Sequence, residues 1–120
     1  MGFQKLMAYQ KAFIVAMEIF EASKSFPKEE TYSLTDQIRR SSRSVCANIA
    51  EAYRKRWYER HFISKLTDTD GENSETQVWL DFAESRNYIS TEKKEQLISD
   101  SQEVGKLIYF MINNPDKFGK

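Results

Sequence analysis

The residues of this sequence with the clearest chemical capability are cations gathered in one part of the chain. Residues 36–65 contain eight basic and three acidic side chains, a net charge of +5, whereas the whole chain is neutral. Guanidinium and ammonium groups bind phosphate oxygens, so this density predicts a binding site for RNA or DNA. An ordinary solvated helix surface is the alternative. The candidate phosphate-binding residues are Arg39, Arg40, Arg43, Arg54, Lys55, Arg56, Arg60 and Lys65.

The first three of these arginines fall inside a predicted helix. Arg39 and Arg43 are four residues apart and therefore share a helical face, where two guanidinium forks can hold phosphate oxygens. Arg39 also flanks the predicted packing seam of this helix. A structural ion pair between Arg39 and Glu72 or Glu75 of the next helix is therefore an equally good interpretation.

The other cations surround a predicted turn between two helices. Arg54, Lys55, Arg56 and Arg60 are interleaved there with Trp57 and Tyr58. Aromatic rings beside cations can stack on unpaired bases while the cations contact phosphates. The alternative is a helix end whose cations complement the helix dipole and whose aromatic rings pack on the protein.

The remaining reactive side chains predict no catalytic or metal centre. Cys46 is the single cysteine and His61 the single histidine, so neither an internal disulfide nor a Cys/His zinc site can form. Cys46 lies among small residues and is predicted to be a small buried hydrophobic side chain. Glu72 and Glu75 share a helical face near Asp68, but a metal site in a bundle needs ligands from several helices. With no Glu-x-x-His pair and no glycine-rich phosphate loop, we expect no enzyme activity, metal or cofactor.

Composition and periodicity predict that long helices position these groups. Hydrophobic residues make up 40% of the chain and charged residues 30%, with 4 glycines and 2 prolines. Apolar residues recur at three- and four-residue steps. We predict one domain over residues 1–120, with helices at about residues 3–25, 35–56, 58–88 and 91–113. Thr35 is the predicted N-cap of the second helix, after a connecting loop at 28–34.

Each predicted helix carries one stripe of packing residues. The stripes are Leu6, Phe13, Met17 and Phe20 in the first helix; Ile38, Ser42, Val45, Ile49 and Ala52 in the second; Phe62, Leu66, Thr69, Asn73, Thr76, Leu80 and Ala83 in the third; and Leu97, Ser101, Val104, Ile108 and Met111 in the fourth. The third stripe is polar in its middle, so those side chains need partners inside the protein. Gly71 lies in the same stretch and indicates either close packing or a kink.

Short connections between these helices predict an all-α, antiparallel, up-down-up-down four-helix bundle, because sequential helices joined this way are neighbours. The aromatic content of 13% exceeds what one small core needs, which favours a subunit interface. The sequence has no apolar run long enough to span a bilayer and no signal-peptide pattern. We therefore expect a cytoplasmic protein without a membrane partner.

One stretch of the second helix resembles a known family signature. Residues 32–53 read YSLTDQIRRSSRSVCANIAEAY. This pattern resembles that of the four-helix-bundle proteins encoded by intervening sequences in bacterial 23S ribosomal RNA genes. Supporting pieces are Phe26-Pro27 with Glu30, Phe62-Ile63, Glu75-Thr76-Gln77 and Tyr88-Ile89. Cys46 and Ala52 stand where proline and glycine are common in the family, which predicts a straighter helix.

The family is similar to the accessory variability determinant of diversity-generating retroelements, a barrel-shaped pentamer of four-helix bundles that binds nucleic acid. The resemblance implies a ring-like homo-oligomer, pentameric by analogy, with a basic nucleic-acid-binding surface. Together with the basic region, it favours a non-enzymatic nucleic-acid-binding accessory protein. A protein-interaction or scaffold module, whose basic surface docks an acidic protein partner, is the alternative.

Overall fold

A computed structural model describes residues 2–119, and four α-helices contain most of them. These are α1 (Met7–Ser23), α2 (Leu34–Arg54), α3 (Glu59–Ser85) and α4 (Thr91–Asn113). Single 3-10 turns occur at Phe3–Lys5, Lys28–Glu30 and Pro115–Lys117. Since residues 2–119 contain four helices and no strand, the predicted all-α, four-helix class is confirmed.

Contacts between the helices show that neighbours run antiparallel. Glu18, late in α1, contacts Lys93, early in α4, whereas Lys11, earlier in α1, contacts Glu103, later in α4. The same reversed order links α2 to α3 and α3 to α4. Those pairs are Ser41–Thr76 and Glu51–Lys65, then Asn73–Ser101 and Asp81–Lys94. Because α1 packs on α2 and α4, it lies diagonally across the bundle from α3.

The first helix buries Val15, Ile19 and several alanines, and it exposes other large apolar side chains. Ala8, Ala12 and Ala16 are buried against the neighbouring helices. Phe13 and Met17, which belong to the predicted stripe, are each about half exposed, at 48% and 49%. Alanines let the α1 axis approach its neighbours closely, and the bulky side chains then remain on the outer surface. The outer surface of α1 therefore carries exposed apolar side chains, Phe13, Ile14 and Met17, beside its charged residues.

The polar side chains in the middle of α3 find partners inside the core. The Asn73 side-chain amide donates to the Ser101 carbonyl at 2.9 Å, and its oxygen accepts a hydrogen bond from the Ser101 hydroxyl at 3.0 Å. The Thr76 hydroxyl donates to the Ser41 hydroxyl of α2 at 2.8 Å. Within residues 2–119, no buried side-chain nitrogen or oxygen lacks a hydrogen-bond partner. These bonds connect three of the four helices at one level of the bundle.

Gly71 is not explained by close packing. A Cβ atom added to Gly71 would meet no neighbouring atom within 4 Å. The helix α3 continues through this position without a break. Its glycine therefore lowers helix propensity without allowing any close approach.

Local interactions move three helix ends by one to four residues from the approximate predicted positions, and Thr35 is not the N-cap of the second helix. The second helix begins at Leu34 with Ser33 as N-cap, and Thr35 is buried within its first turn. The Glu30 carboxylate accepts a hydrogen bond from the Leu34 amide, which replaces the expected threonine cap. The first helix begins at Met7 rather than near residue 3, since Leu6 has extended backbone geometry.

The third helix ends at Ser85 rather than near residue 88. Asn87 has a φ of 62°, and the Tyr88 amide donates to the Ala83 carbonyl at 2.8 Å. This pattern is the Schellman ending of a helix, which requires a left-handed residue. The third helix starts at Glu59, with Tyr58 as its N-cap. The turn between α2 and α3 therefore comprises residues 55–58.

No helix among the described residues is long and apolar enough to cross a membrane.

Candidate nucleic-acid interface

The α2–α3 turn (residues 55–58) is held rigidly at one end of the bundle. The Lys55 amide donates to the Ala52 carbonyl, and the Tyr58 amide donates to the Lys55 carbonyl, both at 2.9 Å. Ala52 and Phe62, on either side of the turn, have no exposed surface. The core therefore anchors both helix ends, and the turn residues project outward from a fixed base.

Arg56 organises the side chains of this turn. Its guanidinium donates to the Tyr53 carbonyl at 3.0 Å. The same group lies 4.1 Å from the centre of the Tyr53 ring and 4.9 Å from that of Trp57. Lys5, which precedes α1, adds a further cation 5.9 Å from the Tyr53 ring centre. Arg56 thus connects two aromatic rings while keeping its positive charge at the surface.

Three further cations, one in the turn and one in each adjoining helix end, are exposed and have no anionic partner within the described residues. Arg54, Lys55 and Arg60 are all exposed. None has a carboxylate oxygen within 4.0 Å in residues 2–119. Glu59 adjoins Arg60 in sequence, and it too is exposed. Their charge is therefore available to an anion from solution.

Lys65 differs from the cations of the turn. Its ammonium group lies 3.4 Å from the Glu51 carboxylate, and its side chain is 24% exposed. This contact joins α2 to α3. Lys65 therefore contributes to helix packing as well as to the basic region.

Arg39 is held by the first helix, not by the third. Its Nε–H donates to the Ser23 hydroxyl at 2.7 Å, and its guanidinium lies 4.5 Å from the centre of the Phe20 ring. The alternative ion pair with Glu72 or Glu75 is therefore wrong. The rotation of α2 about its own axis directs this side chain toward α1.

Acidic residues share the surface around the other two helical arginines. Arg40 lies 3.9 Å from the Asp36 carboxylate, and its side chain remains 76% exposed. Arg40 and Arg43 line a polar groove of about 470 Å³ with Glu72 and Glu75 of α3. These carboxylates reduce the positive potential of the groove. The predicted basic region is thus divided into a partly neutralised part on α2 and an uncompensated part at the turn.

Other reactive groups of the described residues do not form a centre. No group of three or more histidine, cysteine, aspartate or glutamate side chains within residues 2–119 is placed to hold a metal ion. Burial raises the pKa of the Cys46 thiol to about 11, so it is a protonated thiol at neutral pH. The Glu75 carboxylate accepts a hydrogen bond from the Trp79 indole at 3.2 Å.

An apolar groove of about 420 Å³ lies on the surface between α1 and α2. Phe13, Met17 and Phe20 line its α1 side, and Ala47 and Ala50 line its α2 side. On α2, Arg43 lies four residues before Ala47, and Arg54 lies four residues after Ala50. Both arginines therefore share the helical face of these alanines. Arg43 lines the groove and Arg54 does not, so the groove adjoins the part of the basic region that contains Arg43.

The sequence and the fold of this chain are both similar to those of known proteins. Residues 4–110 match the family of 23S rRNA-intervening sequence proteins. The chain belongs to this family. A solved structure similar to this chain is described as a protein of unknown function from the S23 ribosomal protein family, from Bacteroides thetaiotaomicron. It has a TM-score of 0.80 and 32% identity, over 88% of this chain and 95% of that one. A search of curated proteins finds no significant match.

The signature residues of this intervening-sequence protein lie on α2. Glu51 pairs with Lys65 of α3, and the Asn48 side-chain amide lies 3.5 Å from the Ser44 hydroxyl. Sequence reasoning missed Lys5 and Tyr53 as parts of the turn surface. Lys5 precedes the basic region by dozens of residues, and no local pattern indicates that α1 brings it there.

Proposed function

We propose that this chain is a non-enzymatic accessory protein that binds RNA or DNA by phosphate contacts through its basic surface. The observation that carries the proposal is the set of exposed cations at the α2–α3 turn, Arg54, Lys55 and Arg60, without carboxylate partners in residues 2–119. Arg39, Arg40, Arg43, Arg56 and Lys65 extend this surface, although each already has a contact within the protein. The expected similarity to the accessory variability determinant of diversity-generating retroelements, which the sequence resemblance implies, points to the same function.

A salt titration tests the phosphate contacts. Binding of a labelled RNA hairpin and a labelled DNA duplex is measured by fluorescence anisotropy between about 50 and 200 mM salt, where phosphate-dominated affinity falls steeply. The triple change Arg54→Gln, Lys55→Gln and Arg60→Gln should weaken binding and reduce the slope of log affinity against log salt by about 3 on the duplex.

A matched variant controls for net charge. Lys24→Gln, Lys28→Gln and Lys106→Gln remove the same number of positive charges from exposed positions elsewhere. This control should bind almost as the natural chain does. If both triple variants bind equally, or if the natural chain binds neither probe at the lowest salt, the proposal is wrong.

We further propose that the chain forms a ring-like homo-oligomer, a pentamer by the same similarity. Two unlike apolar surfaces support it: Phe13, Ile14 and Met17 on α1, and Val78 and Phe82 on α3, are about half exposed. Since α1 and α3 lie diagonally opposite, contact between them joins one copy to the next head to tail. Such a contact gives a closed ring when the rotation between copies closes.

The solution mass tests the assembly. Native mass spectrometry should give five times the chain mass of 14.1 kDa. Ile14→Glu or Val78→Glu should each release monomers, because either change places a charge in the same contact. A natural chain that is monomeric at micromolar concentration would exclude the ring.

The alternative function is a protein-interaction or scaffold module. The apolar groove between α1 and α2 favours it, because exposed apolar surfaces of this kind mark protein contacts. Its expected signature is a protein that purifies without nucleic acid and fails the salt titration above.

A further inference from the structure

We infer that the α2–α3 turn binds unpaired nucleotides in preference to a duplex, by stacking bases on Trp57 and Tyr58. This inference rests on the proposed function and specifies its ligand. The two rings are 60% and 66% exposed. Most of the surface of each ring therefore faces solvent, whereas the alternative interpretation from sequence was that the rings pack on the bundle. The bundle end beneath them is filled by Ala52 and Phe62, which are completely buried.

The aromatic rings are held in place before any ligand arrives. Arg56 lies 4.9 Å from the Trp57 ring centre and is itself fixed by the carbonyl and ring of Tyr53. The Tyr58 ring meets the His61 ring edge to face, with centres 6.3 Å apart. A ring fixed in advance loses little conformational entropy when a base stacks on it. The remaining exposed surface of each ring is the stacking surface.

The charges around the rings fit a nucleotide strand. Arg54 and Lys55 precede Trp57, and Arg60 follows Tyr58, so cations flank the aromatic pair on both sides along the chain. A strand that places bases on the rings would bring its phosphates to these cations. Proteins that bind single strands combine these two elements, aromatic platforms and a positively charged track. In a duplex the base faces are already stacked, so the rings would gain nothing from it.

A comparison of strand types tests this inference. The probes are labelled oligo(dA), oligo(A) and the duplex of oligo(dA) with oligo(dT), at equal phosphate concentration and low salt. Both single strands should bind more tightly than the duplex. Trp57→Ala with Tyr58→Ala should weaken single-strand binding by about tenfold or more, since alanine substitution removes stacking on each ring. Duplex binding and the salt slope should stay unchanged, because the cations remain.

Two variants separate stacking from damage to the fold. Trp57→Phe with Tyr58→Phe keeps the ring faces and should retain most of the single-strand affinity. Tyr32→Ala with Tyr109→Ala removes two exposed aromatic rings elsewhere, which are 94% and 69% exposed, and should have no effect. In a Trp79→Phe background Trp57 is the single tryptophan, and its fluorescence should change when a strand binds.

The outcomes distinguish this inference from the function on which it rests. Equal affinity for duplex and single strands, with no loss in the Trp57→Ala and Tyr58→Ala variant, overturns the inference and leaves the phosphate contacts standing. Absence of binding to every probe overturns both. Displacement of the strand by poly-glutamate at equal charge, together with no change in Trp57 fluorescence, would assign the turn to an acidic protein partner instead.

Discussion

Asn73 and Ser101 provide a direct test of the buried polar layer. Asn73 is 5% exposed and Ser101 is completely buried. Two hydrogen bonds connect them across α3 and α4, and the Gln77 side chain adds a third to the Ser101 hydroxyl at 3.0 Å. Asn73→Ala removes the first two bonds and leaves the Ser101 hydroxyl proton without its acceptor. The variant should therefore be destabilised without any change of charge.

The magnitude follows from these bonds. Each intramolecular hydrogen bond contributes about 1 kcal/mol net, and a buried group left without a partner costs about 1–3 kcal/mol. Asn73→Ala should lower the free energy of unfolding by about 3 kcal/mol. Ser101→Ala should cost about 2 kcal/mol. The double variant should cost about 1 kcal/mol less than the sum, because the bond from the Ser101 hydroxyl to the Asn73 side-chain oxygen is lost in both single variants.

Urea unfolding followed by circular dichroism measures these free energies. All variants are compared at one protein concentration, because assembly makes apparent stability depend on concentration. Ser74→Ala and Ser99→Ala are the matched control, since both serines are exposed on the same two helices. Their effects should be small and additive. Additive losses at Asn73 and Ser101, within about 0.3 kcal/mol, would refute the coupling that the distances indicate.

Three further predictions concern two helix glycines, the single cysteine and one carboxylate. Gly71→Ala should raise the free energy of unfolding by about 1 kcal/mol in urea titrations, because alanine is the better helix former and the added methyl group meets no atom. Gly105→Ala should gain less, since its Cβ would lie 3.4 Å from the Asn73 amide. Cys46 should react slowly with a thiol reagent at pH 8 and quickly in urea, because its pKa is raised to about 11 by burial. A hydrogen bond from Gln96 lowers the pKa of Glu18 below its usual 4.5, despite partial desolvation. The stabilisation from Glu18 is thus present above pH 4.5 and lost as the pH falls through the lowered pKa, and Glu18→Gln should reduce this acid sensitivity in unfolding curves.

Each of these predictions has a contrary result. A loss of stability in Gly71→Ala would mean that the glycine is needed for a local bend of α3. Rapid modification of native Cys46 would show that the α1–α2 groove opens in solution. An unchanged acid transition in Glu18→Gln would assign that transition to other carboxylates.

The helices could be predicted because periodicity and proline positions are local properties of the sequence. Their ends were harder to place. The start of α2 depends on the side chain of Glu30, and the end of α3 depends on the left-handed backbone of Asn87. Neither interaction is visible in a hydrophobic pattern. The exposure of Phe13 and Met17 was also hidden, because it depends on how closely the alanines of α1 approach the neighbouring helices.

The candidate site shows the same division between local and distant information. The cations and aromatic rings of the turn are adjacent in sequence, so their grouping could be read directly. The partner of Arg39 could not be predicted from the sequence, because both sides of α2 offer plausible contacts. The rotation of the helix about its axis decides between them. Lys5 joins the turn surface through the tertiary position of the segment before α1.

The position of Gly119 has a practical consequence for anyone who labels or tethers this protein. A Cβ atom on Gly119 would lie 3.0 Å from the Arg56 carbonyl, so the last described residue rests directly against the turn. Phe3 and Lys5 also lie at this end. An affinity tag fused at either terminus would therefore stand beside Trp57 and its cations, where it can mask or imitate a ligand. Immobilisation through a cysteine introduced at Lys28, at the far end of the bundle, keeps that surface open.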